Sequence, residues 1–194
     1  QQIPYTGIAY ITIQSTQTLD IFLLECAGFC RAAGATRVLA SGHADLNRYP
    51  VFTRVLRMQA EVPTVPDNAY LFPVTEQTLG NWLEIYNDGM KNVPNALILS
   101  RQMAEEIVEK GTAYFVHTNV ALLGIGIAEN DTVQAIVSCV KGAGEQIMTA
   151  LMGAVCGDQA YVEVAENNLP AVRLYQRMGF VQTQILKEWY IVGK

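Results

Sequence analysis

Two hydrophobic periods alternate along the chain. Ile8–Ile13, Ala113–His117, Val133–Cys139 and Tyr161–Ala165 are short apolar runs rich in β-branched and aromatic residues, which predicts strands. Between such runs, apolar residues recur three and four positions apart, which predicts helices. Thr18–Ala33 gathers Leu19, Phe22, Leu23, Cys26 and Cys30 on one face and stops at Gly34. Arg37–Ala40 then reads as a strand, Leu46–Phe52 as a short helix, and Val55–Ala60 as another strand.

Glu61–Asn68 contains Pro63 and Pro66, which can neither donate to a sheet ladder nor sit inside a helix. A linker is expected there, dividing the chain into residues 1–66 and 67–194. Beyond it, Tyr70–Val74 reads as a strand, and Thr75 is expected to cap a helix carrying Leu79, Trp82, Leu83, Tyr86 and Met90. Ser100 caps a second helix, with Met103 and Ile107 inward and Gly111 as its stop. Strands follow at Ala113–His117, Ala121–Ala128 and Val133–Cys139, the last two joined through the turn Glu129-Asn130-Asp131. The loop Lys141-Gly142-Ala143-Gly144 leads into a helix with Ile147, Met148, Leu151, Met152 and Val155 on its apolar face, stopped at Gly157-Asp158. Strand Tyr161–Ala165, a short helix and a strand Val181–Val192 complete the chain. The class is α/β (α+β).

The short helix carries the most specific pattern. Ala171, Leu174, Tyr175 and Met178 lie at i, i+3, i+4 and i+7, with Pro170 in the first turn and Gly179 just past the end. Asn168, Ala171, Leu174, Tyr175, Gly179 and Phe180 form N-x-x-A-x-x-L-Y-x-x-x-G-F. This resembles the C-terminal motif of the GNAT superfamily of acetyl-CoA-dependent N-acetyltransferases. The order of elements over residues 69–194, about two-thirds of the chain, is similar to that of the complete GNAT fold. The resemblance implies a mixed central sheet flanked by helices.

Residues 1–66 repeat part of that order: strand, helix, strand, helix, strand, as in residues 133–192. A degenerate GNAT-like half-domain is one interpretation, lacking both the glycine loop and the terminal motif; Ser15-Thr16-Gln17 stands at the strand-to-helix turn instead. An unrelated α/β extension along a sheet edge is the other.

Gly142-x-Gly144 between a strand and a helix lets backbone N–H groups approach a phosphate at a helix N-terminus. The resemblance implies that Lys141, Gly142, Ala143, Gly144 and Glu145 hold the CoA pyrophosphate. It also implies that Val137 and Cys139 meet the pantetheine where two parallel strands part. The family's Gln or Arg position falls on Cys139, a departure that Lys141 offsets only in part. Asn168 suits a helix cap through its side-chain oxygen, and the resemblance adds a cofactor contact. Tyr175 reads either as a ring packed on the sheet or, by resemblance, as the general acid that protonates the departing CoA thiolate. An amine attacks only when neutral, so a general base is expected; Glu129, Glu163 and His117 are the candidates, with Glu129 put first.

Composition narrows the partners. Half the residues are apolar (51%) and 16% are charged, which describes a folded chain and not a disordered one. No apolar run is long enough for a membrane helix, and Gln1–Pro4 shows no signal-peptide pattern. The net charge of −5 and the absence of a basic cluster argue against nucleic acid. Residues 67–194 carry fourteen acids against eight Lys and Arg, a weak bias toward cationic acceptors. Four cysteines without metal spacing read as reduced thiols, which predicts a cytoplasmic address and no metal. The expected activity is acetyl transfer from acetyl-CoA to a small-molecule or peptide amine, with a homodimer one option. The alternatives are a catalytically degenerate acyl-CoA-binding or protein-interaction GNAT fold, and, far behind, a nucleotide-binding domain that would need a third glycine.

Overall fold

The computed structural model describes residues 3–14, 18–64 and 69–193. In chain order the elements are α1 (Ile3–Thr6), β1 (Ile8–Thr12), α2 (Leu19–Ala32), β2 (Arg37–Ser41), a 3-10 helix at Ala44–Arg48, and β3 (Val51–Glu61). Then come β4 (Tyr70–Pro73), α3 (Leu79–Met90), α4 (Arg101–Glu109), β5 (Ala113–His117), β6 (Leu122–Glu129) and β7 (Thr132–Ser138). The chain ends with α5 (Gly144–Met152), β8 (Gln159–Ala165), α6 (Leu169–Arg177) and β9 (Val181–Gly193).

Contacts gather these elements into two compact units. One comprises Gln1–Leu56, Ala165–Asn167 and Gln184–Lys194; the other Arg57–Val164 and Asn168–Thr183. This differs from a division at residue 66. The boundary lies inside β3, and the prolines come after that strand has ended: β3 runs to Glu61, and Val62 still donates to the Asp158 carbonyl at 2.9 Å. Residues 65–68 of the expected linker and the Ser15-Thr16-Gln17 turn lie outside the described residues.

In the larger unit, β4, β5, β6 and β7 form an antiparallel ladder, and β8 joins β7 in parallel, so the sheet is mixed. Both faces are covered, and the period of two in β6 shows how. Ile125 and Ile127 enter a core with Leu79, Trp82, Tyr86 and Met90 of α3 and Ala104 of α4. Gly124 and Gly126 point the other way, where a Cβ would collide with Ile147 and Leu151 of α5. The end of β3 runs beside β8, with the Arg57 guanidinium 4.3 Å from the Tyr161 ring centroid.

The smaller unit pairs β1 with β2 in parallel over five register pairs, and β2 with β9 antiparallel. Helix α2 lays Leu19, Leu23 and Ala27 against Ile13, Ala40, Ala9 and Val38. The strand–helix–strand order expected there is present. The segment expected as a helix at Leu46–Phe52 is instead a 3-10 helix ending at Arg48, followed directly by β3. Pro50 and the β-branched Val51 favour extended backbone there. Helix α3 starts after Thr78, not Thr75, because Thr75 N–H is taken by the Thr78 hydroxyl at 3.0 Å in a preceding turn.

Trp82 sits at the centre of the larger unit's core. It is fully buried, stacks on Tyr86 and donates from Nε1 to the Tyr114 carbonyl at 3.2 Å. Trp82→Ala is expected to cost about 3–5 kcal/mol, read as a lower urea midpoint. Trp82→Phe should cost less, leaving the Tyr114 carbonyl short of a donor.

Candidate active site

Strands β7 and β8 share one register pair, Thr132↔Tyr161, supported by the Tyr161 N–H donating to the Asp131 carbonyl at 2.8 Å. Among the described residues no further pair joins them. On its other edge β7 remains laddered to β6 from Thr132 to Ser138. Past Thr132, therefore, the edge of β7 toward β8 offers backbone donors and acceptors with no strand to meet them. Val137 lies in this stretch, and Ser138 ends it.

The chain then turns. Cys139 and Val140 both donate to the Leu123 carbonyl, at 2.8 and 3.3 Å, so the loop stays fastened to β6. Cys139, Lys141 and Gly142 are exposed and Ala143 is buried. Gly142 adopts φ +87° with open space around it, a conformation that costs any other L-residue about 1–2 kcal/mol. Helix α5 begins at Gly144 with Ala143 as its cap, and no side chain satisfies the first-turn N–H groups. Uncapped N–H groups and the helix dipole together make an anion seat.

Helix α6 packs on this first turn. A Cβ on Gly144 would lie 3.1 Å from Leu174 Cδ2, so glycine there sets the approach of the two helices. Arg177 Nε donates to Glu145 Oε1 at 3.0 Å, drawing that carboxylate aside from the anion seat. Both partners are exposed, so the pair adds little stability. The sequence held no local signal for this contact, since the residues are 32 positions apart.

Asn168 caps α6, its Oδ1 accepting from Ala171 N–H at 3.4 Å, and Gly179 takes φ +84° just beyond the end. The turn closes with Phe180 N–H donating to the Tyr175 carbonyl at 2.9 Å. Tyr175 is 7% exposed, its ring 5.6 Å from that of Phe180, and its hydroxyl has no hydrogen-bond partner among the described residues. Burial pushes the phenol up to about 12. A phenol so placed is held as the neutral donor and lacks an internal acceptor.

The base candidates separate. Glu129 ends β6 opposite Thr132, at the start of β7, whereas the loop follows its end. The 7 residues of β7 separate the two by six steps, about 20 Å at ~3.3 Å per step. Lys110 Nζ at 3.1 Å and Gln134 Nε2 at 2.7 Å donate to Glu129, in that order of effect, and hold its carboxyl below the usual range. The structure thus does not bring Glu129 together with the loop. His117 pairs with Leu122, next to the residue whose carbonyl anchors Cys139, so it lies at the loop's end of the sheet. Its ring lies edge-on to Phe72, 5.4 Å between centroids. Glu163 is exposed on β8, two residues past the single register pair. His43 caps the 3-10 helix, Nδ1 accepting from Asp45 N–H at 3.2 Å. All four cysteines are free, with Cys26 and Cys30 half-buried and Cys139 and Cys156 exposed. Among the described residues no three His, Cys, Asp or Glu side chains form a metal-sized group.

Solved structures with the same arrangement include an acetyltransferase of the GNAT family from Colwellia psychrerythraea, at TM-score 0.54 and 10% identity, covering 91% of this chain and 75% of that one. A GCN5-related N-acetyltransferase from Sphaerobacter thermophilus gives 0.55 and 10%, covering 91% and 69%. A conserved protein of unknown function from Staphylococcus epidermidis gives 0.54 and 10%, covering 93% and 81%. This chain has the GNAT fold. It spans as little as 60% of other solved chains it matches. No protein-family model and no curated protein sequence matches it. The parted strands, the glycine loop and α6 stand in one unit.

The phenol's burial gives a direct test. Because Tyr175 is raised above the ordinary value near 10, its stabilising effect is complete below pH ~10 and is lost as pH rises toward about 12. Ultraviolet titration of tyrosinate should show a late-ionising phenol that Tyr175→Phe removes. The alkaline decline in stability should be shallower in that variant.

Proposed function

We propose that this chain is an acyl-CoA-dependent N-acyltransferase that passes an acetyl group from acetyl-CoA to a small-molecule or peptide amine. The parting of β7 from β8 directly before an uncapped, glycine-led helix N-terminus carries the proposal. It supplies adjacent places for a chain of amides and for a pyrophosphate. In this assignment the N–H groups of Gly142, Gly144 and Glu145 meet the pyrophosphate, with Lys141 nearby, while Ala143 N–H donates to the Val140 carbonyl at 3.2 Å and shapes the loop. Val137 and Cys139 meet the pantetheine amides, and Asn168 keeps its cap while facing the cofactor. Acetyl-CoA contributes the thioester, whose carbonyl the β7 backbone polarises.

The reaction then needs two proton movements. The amine nitrogen bonds to the carbonyl carbon as the C–S bond breaks, and the sulfur takes the Tyr175 proton, which solvent replaces. The proton lost by the amine goes to His117 or Glu163, directly or through water; Glu129 is disfavoured by its position and its two donors. Among the described residues no helix is long and apolar enough to cross a membrane. A cytoplasmic setting, with no nucleic-acid partner, remains our expectation from the cysteines and the charge.

Cys139, where the family carries Gln or Arg, favours one second interpretation: an acyl-CoA-binding protein without turnover. Thiol release with a panel of amines separates the two. Tyr175→Phe should lower turnover by about 10²–10⁴-fold while leaving acetyl-CoA affinity within a few-fold, since the thiolate forms only in the reaction. Wild-type turnover by that variant would make Tyr175 structural. Gly142→Val should weaken acetyl-CoA binding in calorimetry with the circular dichroism spectrum retained, and Cys139→Arg should strengthen it. Unchanged affinity in Gly142→Val would remove the loop assignment.

A further inference from the structure

Strand β9 loses one neighbour part-way along. The last register pair between β2 and β9 is Ala40↔Tyr190. The end of β2 turns toward β1 instead: the Ser41 carbonyl accepts from Ile13 N–H at 2.8 Å, and Gly42 takes φ +98°, where a Cβ would collide with the Ile13 carbonyl oxygen. Among the described residues nothing from β2 pairs with residues 185–189, so this edge of β9 offers backbone donors and acceptors. A cleft of about 640 Å³ opens there, between the end of β2, the 3-10 helix and β9, wholly inside the smaller unit. Small-molecule sites commonly occupy ~300–1,000 Å³.

Its walls carry three groups short of partners. Ser41 is 4% exposed, lines the cleft, and its hydroxyl has no hydrogen-bond partner among the described residues. Lys187 Nζ stands 5.1 Å from the centre of the Trp189 ring and meets no carboxylate among the described residues. Glu188 is the third. Arg54 serves both Glu188, at 2.9 Å, and Glu166, at 3.4 Å, so one cation answers two carboxylates and a negative charge is left over. The Tyr190 hydroxyl and Arg54 fix the Glu188 carboxylate and hold it below the usual range. His43 adds a donor to the wall: its Nδ1 accepts from Asp45 N–H, so the neutral ring carries its proton on Nε2.

The two charges lie on opposite faces of β9. Lys187 and Trp189 share one face, Glu188 and Tyr190 the other, as strand alternation requires. A ligand that meets both carries its own cation and anion apart, across the strand edge. A free α-amino acid separates them by no more than one residue, ~3.5 Å; an extended dipeptide gives ~7 Å and sets a peptide group beside the unpaired backbone. Ile185 and Leu186 supply aliphatic surface for a side chain.

We propose that this cleft binds a zwitterionic dipeptide with an aliphatic side chain, its ammonium on Glu188 and its carboxylate on Lys187, with Ser41 and His43 donating to its oxygens. The site does not rest on the acetyl-transfer assignment.

Nuclear magnetic resonance titration of the isotope-labelled full chain with L-alanyl-L-leucine, its N-acetyl derivative and its C-terminal amide tests this. The free dipeptide should bind, and each capped form should bind about tenfold or more weakly, since each loses one charge-assisted contact. Glu188→Gln should weaken the free dipeptide and the amide by a similar factor and leave the N-acetyl form, which has no ammonium, unchanged. Lys187→Met should weaken the free dipeptide and the N-acetyl form and leave the amide unchanged. Both variants should keep the wild-type circular dichroism spectrum; should Glu188→Gln unfold, Lys187→Met alone decides. No binding of the dipeptide, capped forms or free L-leucine binding as tightly as the dipeptide, or a dipeptide affinity that Lys187→Met does not move would each overturn the proposal.

Discussion

The separation of β7 from β8 after a single register pair governs the larger unit. A parallel ladder normally satisfies every backbone group along its length, and an unpaired buried group costs about 1–3 kcal/mol. Here one edge of β7 is held fully by β6 while the other is released. The release is enforced from both ends of the crossover. Cys139 and Val140 stay bonded to Leu123, which keeps the end of β7 with β6, and α6 lies against the first turn of α5 through Gly144 and Leu174. An occupant that itself carries amides and a doubly charged phosphate group answers both needs: it pairs the exposed strand edge and neutralises the uncapped helix end. Glycine serves two nearby positions for different reasons, a positive φ at Gly142 and a close helix approach at Gly144.

The smaller unit shows what the same strand–helix–strand arrangement does without that separation. Strands β1 and β2 pair over five residues from Ile8↔Arg37 to Thr12↔Ser41, leaving no slot between them. Several polar groups of its sheet bond to each other, although the buried Trp189 Nε1 does not: Arg54 donates to Glu188 at 2.9 Å and reaches Glu166 at 3.4 Å, and the Tyr190 hydroxyl donates to Glu188 at 2.6 Å. The Tyr190 and Arg54 donors hold Glu188 below the usual carboxylate range, Tyr190 contributing most. Such a network fixes that carboxylate in place.

Features set by neighbours in sequence were legible. Ser100 and Asn168 cap the helices expected of them, Asn130 takes φ +55° in the expected turn, and Gly111 and Gly179 take the left-handed positions past their helices. The glycine loop, its place between strand and helix, and the short helix of the terminal motif were legible for the same reason. Two local expectations failed, the cap at Thr75 and the helix over Leu46–Phe52; the rest of what escaped depended on partners far away in the chain. The unit boundary inside β3, like the division of β9 between Thr183 and Gln184, is set by contacts that no local pattern records. The Glu145–Arg177 contact and the reach of β3 from Val51 to Glu61 are likewise tertiary. The burial of Tyr175 could be anticipated from its helix face; its unpartnered hydroxyl could not.

In the proposed acetyl transfer, the proton that the acceptor amine must lose is the step least supported by side chains. A base is useful in proportion to its proton affinity and its reach. Glu129 falls short on both: its carboxyl is held down by Lys110 and Gln134, and it stands a strand's length from the loop. His117 and Glu163 have reach in their favour, at the loop's end of β5 and on the diverging part of β8, and neither is tied into a hydrogen bond among the described residues. The sequence's acidic balance beyond residue 66 favours a cationic acceptor, which must shed that proton before attack. Deprotonation by a distributed, water-linked route therefore fits the structure better than a single dedicated carboxylate. In the proposed reaction Tyr175 and the thioester would then carry the chemical specificity, and the acceptor would need only to arrive neutral and oriented.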